Sequence, residues 1–181
     1  MKRNYSTGGV AIVSGLLLAV TLSGCATPTR PDAMVATPTS PVHKSASDIS
    51  VAVAGGRETS KAGASQISDE AFVQALRESI EKSGLFSKVS TGAARYKLAA
   101  FIGRVEQPSF GFSMTVKMEV SYSLTDTQSN KAVWTQNVSS THTTPAGEAF
   151  AGVTRLRLAT EGAAKDNIAD AIAKISALNL P

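Results

Sequence analysis

The stretch Phe112-Ser113-Met114-Thr115-Val116-Lys117-Met118-Glu119-Val120-Ser121-Tyr122-Ser123-Leu124 is apolar at every second position. Successive side chains of a strand point to opposite faces, so this pattern predicts a long strand with one buried and one wet face. Met114 and Met118 are in register with the buried face and read as packing residues, as does Phe112. Downstream, Asp126 to Lys131 has turn chemistry, and Ala132 to Thr141 returns as a second strand with Trp134 and Val138 on one face. That strand is poor in apolar residues, which places it near a sheet edge. Upstream, Tyr96, Leu98, Ala100 and Ile102 form one strand face and Ala99, Phe101 and Val105 the other. Apolar residues on both sides predict a central strand, partly covered twice, which Pro108 and Gly111 interrupt.

Further out, Ile49, Val51 and Val53 alternate with smaller residues, a short strand ending at Gly55-Gly56. The polar segment Arg57 to Gln66 reads as a loop and a candidate functional surface. Ser68, Asp69 and Glu70 provide a helix start, with Phe72, Ala75, Leu76 and Ile80 as its apolar stripe and Gly84 as its C-cap. Thr143 to Arg157 is ambiguous, because Pro145, Gly147 and Gly152 oppose regular helix throughout. A terminal helix follows, with Ala164, Ile168, Ala171, Ile172 and Ile175 inward. The order strand-helix-strand-strand-strand-helix predicts an α+β fold: an antiparallel sheet of about four strands with two amphipathic helices on one face.

The N-terminus has a different logic. Lys2 and Arg3 precede 13 mostly apolar residues, Val10 to Leu22, too few to span a bilayer but sufficient for a secretory signal. The segment closes on Leu22-Ser23-Gly24-Cys25, and Cys25 is the only cysteine. This tetrad resembles the lipobox of bacterial lipoproteins. The resemblance implies a thioether-linked diacylglycerol on Cys25, cleavage before it and acylation of the new amino terminus. Residues 1–24 are thus expected as a signal peptide. Residues 25–48, rich in Pro, Thr and Ser, are expected as a lipidated, flexible tether able to hold the domain some tens of ångströms from the lipid. Residues 49–181 form a single periplasmic domain on this reading.

Removing residues 1–24 from the 181 leaves 157, enough for one domain with a core. Lys2 and Arg3 leave with the signal, so 16 basic residues face 14 acidic ones and the formal excess falls from +4 to +2. No Lys/Arg cluster points to nucleic acid. With one cysteine, already assigned to the anchor, no internal disulfide is available.

Catalytic chemistry is sparse. His43 lies in the expected tether and His142 near a strand end among Ser139, Ser140, Thr141, Thr143 and Thr144. No nucleophile elbow follows Cys25, no phosphate loop surrounds Gly55-Gly56, and no metal-ligand spacing occurs. His142 therefore reads as a solvent-facing or hydrogen-bonded residue. Glu106, Glu119, Glu148 and Glu161 read as surface residues, and Arg155 and Arg157 as a solvated helix flank. Phe110 is a candidate exposed aromatic. No catalytic residue, cofactor or metal ligand is assigned.

The layout over Ile49 to Leu178 resembles small outer-membrane lipoproteins of the YajG type. The resemblance rests on the Phe112–Leu124 strand, the Asp126–Lys131 turn, Gly147-Glu148-Ala149-Phe150 and Asn167-Ile168-Ala169-Asp170-Ala171-Ile172. It implies an envelope lipoprotein without catalytic residues to carry over. Ala26 after Cys25, in place of Asp, resembles lipoproteins sorted to the outer membrane. The expected function is a non-enzymatic binding or assembly component on its periplasmic face, with the membrane and an envelope protein as partners. An accessory subunit of a lipid or lipopolysaccharide transport system is the alternative, and an envelope glycan- or acyl-modifying enzyme is a third reading.

Overall fold

A computed structural model describes residues 25–37, 43–60, 63–178 and 180–181. Leu22, Ser23 and Gly24 of the tetrad, and the rest of the expected signal, lie outside the described residues.

The alternating stretch forms strand β4 (Met114–Asp126), with Met114, Val116, Met118, Val120, Tyr122 and Leu124 buried. It pairs antiparallel with β3 (Tyr96–Glu106) on one side and β5 (Lys131–Thr144) on the other. Leu98 sits opposite Leu124 and Ile102 opposite Val120, so the apolar faces coincide. The register shifts between Ile102 and Arg104. Two further strands, β1 (Asp48–Ala54) and β2 (Lys88–Ser90), complete a five-stranded sheet of order β2-β1-β3-β4-β5. Here the expectation of about four antiparallel strands is corrected, because β1 is parallel to both β2 and β3. Parallel pairing needs a crossover, and helix α2 (Asp69–Ser83), which follows β1, provides it. β2 is three residues long and carries no periodic signal.

Two more expectations at the sheet are overturned. Phe112 is not on the buried face: the strand begins at Met114, and Phe112 is 88% exposed in the preceding loop. β3 is central by topology but covered on one face only, leaving Phe101 half exposed.

The two long described helices, α2 and α3 (Gly152–Ser176), pack on the same face of the sheet. α2 begins as predicted, the Ser68 hydroxyl accepting from the Ala71 N–H at 3.2 Å, with Asp69 and Glu70 at its positive end. It stops at Gly84, whose φ of 63° is left-handed. The ambiguous region resolves into the end of β5, a 3₁₀ turn (Ala146–Glu148) and helix α3 (Gly152–Ser176). Ala159, Ala163, Ala164 and Ala171 let α3 approach β4 and β5 closely, and Ile168, Ile172 and Ile175 fill the space between.

The largest departure is N-terminal. Residues 26–37 are not a free tether. Pro31 starts a single helical turn, α1 (Pro31–Met34), which packs against both α2 and α3. Met34, Val35 and Ala36 are buried in the common core, and the Ala36 N–H donates to the Ser79 hydroxyl at 2.9 Å. The proline- and threonine-rich composition misled because three adjacent apolar residues suffice to dock a segment when two helices leave a groove for them.

Candidate functional site

The ends of β1 and β3, the starts of β4, α2 and α3, and the end of β5 all meet at one pole of the molecule. Cys25 is there too, and its side chain is exposed. Two residues on, the Thr27 carbonyl accepts the Ser65 hydroxyl at 2.7 Å. Gln107 follows β3 and ties this point to the rest: its Nε2 donates to the Ser65 carbonyl at 2.7 Å and to the Thr160 hydroxyl at 2.9 Å. The Thr29 hydroxyl donates to the Gln66 carbonyl at 3.0 Å.

A buried carboxylate completes the clasp. Glu161, expected at the surface, is only 2% exposed. Its Oε1 accepts from the Arg30 backbone N–H at 2.9 Å and from Arg157 Nη1 at 2.8 Å. Arg157 is therefore not a solvated flank, and neither is Arg155, whose Nη1 donates to the carbonyls of Ala149 and Phe150 at 2.6 and 2.8 Å. These bonds set the path of the loop between β5 and α3. At its tip Phe150 is 95% exposed, and Phe110, in the loop before β4, is 88% exposed. Phe110 matches its expected placement. Phe112 and Phe150 were missed, although aromatics beside Gly111 and between Pro145 and Gly152 were a legible loop signal.

At the same pole β3 continues past the last β1 pairing, Ala54 with Phe101, and leaves a cleft of about 300 Å³. Gly55, Arg57, Ile67, Phe101, Arg104 and Val105 line it. Gly55 has a φ of 90°, and a Cβ there would lie 2.6 Å from the Ile102 carbonyl oxygen, so the chain turns away only with glycine. The two ends of the Arg57–Gln66 segment are tied together: the Gln66 N–H donates to the Thr59 hydroxyl and the Arg57 N–H to the Ile67 carbonyl, both at 2.8 Å.

His142 sits on the helix-facing side of β5. Its Nδ1 is 2.9 Å from Asp166 Oδ2 on α3, and its ring lies over Gly162, where a Cβ would come within 2.3 Å. The neighbouring Ser140 hydroxyl donates to the Ala163 carbonyl at 2.7 Å. The histidine thus docks α3 onto the sheet edge, a partnership with Asp166 that strand and helix periodicity did not reveal. Among the described residues no three His, Cys, Asp or Glu side chains converge on a metal position. No described helix is long and apolar enough to cross a membrane.

The opposite pole is held by Arg95. Its backbone N–H donates to Asp48 at 2.7 Å, and its guanidinium pairs with Asp126. The Arg95 N–H is the main reason that Asp48 titrates below the usual aspartate range, and the Ser90 hydroxyl and Lys88 act the same way against partial desolvation. For Asp126 desolvation pushes upward, but the N–H groups of Ser129 and Gln128 and the Arg95 guanidinium together outweigh it and lower the value.

No family model matches the chain, and no curated protein matches it. Solved structures with the same fold do exist. Protein XCC0632 of Xanthomonas campestris, of the DUF330 family, is 16% identical, with 83% of this chain and 94% of that one covered at a TM-score of 0.64. The hypothetical protein CT253 of Chlamydia trachomatis is 9% identical over 75% and 98% of the two chains, with a TM-score of 0.58. A Caulobacter crescentus protein provisionally classed as a lipoprotein is 16% identical over 71% and 88%, with a TM-score of 0.51. At these identities the likeness establishes the α+β fold that this chain shares with them.

Proposed function

We propose that this chain is a lipid-anchored envelope lipoprotein whose mature form begins at Cys25 and acts as a non-enzymatic binding or assembly component. The observation that carries the reading is positional. Cys25 is exposed at one pole and, among the described residues, packing begins at Ala26, so a chain beginning at Cys25 keeps every described core residue and has an accessible first side chain. The sequence before it supplies a charged start, a short apolar segment and Leu22-Ser23-Gly24. The lipoprotein classification of the Caulobacter crescentus neighbour agrees with this reading. Placement on the periplasmic face of the outer membrane, sorting through Ala26, the YajG-type assignment and an envelope protein as partner belong to the same proposal.

Metabolic labelling tests it. Cells expressing the full chain should incorporate palmitate into it, and Cys25→Ser should abolish the label and release the protein from the membrane fraction. Persistent labelling of the serine variant would refute the assignment.

A further inference from the structure

We infer that the pole bearing Cys25 docks flat on the phospholipid surface, with Phe110, Phe112 and Phe150 inserted at the level of the headgroups. The inference rests on the lipid-anchored reading above and adds an orientation and an interaction surface to it.

A long tether would let the domain tumble away from the bilayer, but the described segment leaves none at this point. Ala26 is already buried, Thr27 is bonded to Ser65, and Arg30 is bonded to Glu161. A lipid on Cys25 therefore lies within two residues, roughly 7 Å of chain, of the folded body. Whatever the pole exposes must then meet the headgroup layer.

What it exposes is aromatic. Phe112 and Phe150 each lie two residues from a contact at the start of β4, where a Cβ on Gly152 would be 3.5 Å from Met114 Cε. Phe110 is three residues from Gln107, which bonds the Ser65 that holds Thr27. Three phenylalanine residues exposed by 88%, 88% and 95% on adjoining loops are unfavourable in water and suited to a membrane interface. The pole's exposed charges are mixed, Arg30, Arg57 and Arg104 standing with Glu58, Glu70, Glu106 and Glu148. Docking thus relies on the rings rather than on anionic lipid. Arg155 holds the Phe150 loop from inside, so the ring is presented by a braced turn.

The single native tryptophan provides an internal control. Trp134 pairs with Leu124, ten residues along β4 from Met114, which puts it roughly 30 Å from the pole. The lipidated full-length product would be purified in detergent and reconstituted into vesicles of phosphatidylethanolamine and phosphatidylglycerol, with or without bromine high on the acyl chains. Wild-type protein reports on Trp134, while F112W and F150W, each combined with W134F, report on the docking loops. Brominated lipid should quench the tryptophans at 112 and 150 severalfold more strongly than Trp134, at low and high salt alike. Equal quenching at all three positions, or stronger quenching of Trp134, would overturn the docking while leaving the anchor intact. Failure of the protein to float with the vesicles would instead overturn the anchor, and the docking with it.

Discussion

Asn167 is fully buried and fully partnered. Its Oδ1 accepts the Tyr122 hydroxyl at 2.9 Å, and its Nδ2 donates to the Val138 carbonyl at 2.8 Å, linking α3 to β4 and β5. Burial pushes the Tyr122 phenol far up, so it stays neutral and remains the donor. Asn167→Ala strands that hydroxyl and Tyr122→Phe strands the buried Asn167 Oδ1, so each should cost about 1–3 kcal/mol in urea unfolding. Equal and negligible losses would show that the network is not closed. Asp48 and Asp126 make the second prediction at this scale. Both titrate below their unfolded value of about 4, so their contribution is fully present above that pH and is lost as pH falls through the lowered values. The melting temperature should therefore drop more steeply below about pH 4 in the wild type than in Asp126→Asn, which lacks one of the two groups. Capping residues such as Ser68 and Gly84 were legible because their chemistry is local. Glu161 was not, since its partner Arg30 is 131 residues away.

Elements were legible in proportion to their length and period. β4 declared itself through seven alternating residues, of which the last six are buried. α3 was visible at its C-terminal half, but its start waited on the 3₁₀ turn that no periodicity marks. β2 and the parallel pairing of β1 escaped because both depend on where α2 returns the chain, a long-range fact. Residues 26–37 escaped because composition argued for a linker, while docking depended on a groove that exists only after α2 and α3 are placed. If Met34, Val35 and Ala36 belong to the core, Met34→Ala should destabilise the whole domain by about 2–5 kcal/mol. The Ala36 amide, bonded to Ser79, should exchange with solvent as slowly as amides of β4. Rapid exchange there, with a Met34→Ala melt unchanged, would return the segment to a tether.

For the whole molecule, the consequence of that docked segment is polarity. Both chain directions are resolved into two ends: one with Cys25, the cleft beside Gly55 and three exposed phenylalanines, the other braced by Arg95. A domain on a long leash has no preferred end, whereas the lipid proposed on Cys25 would give this one a bottom and a top. On that proposal the short turn Asp126–Lys131, at the end braced by Arg95, would point away from the bilayer. All of this depends on the chemistry at a single side chain. The direct test is the intact mass of the protein extracted from membranes of cells expressing the full chain. The expected product begins at Cys25 and carries a diacylglycerol and an N-linked acyl group; an unmodified product, or one beginning at any other residue, would contradict the lipid anchor.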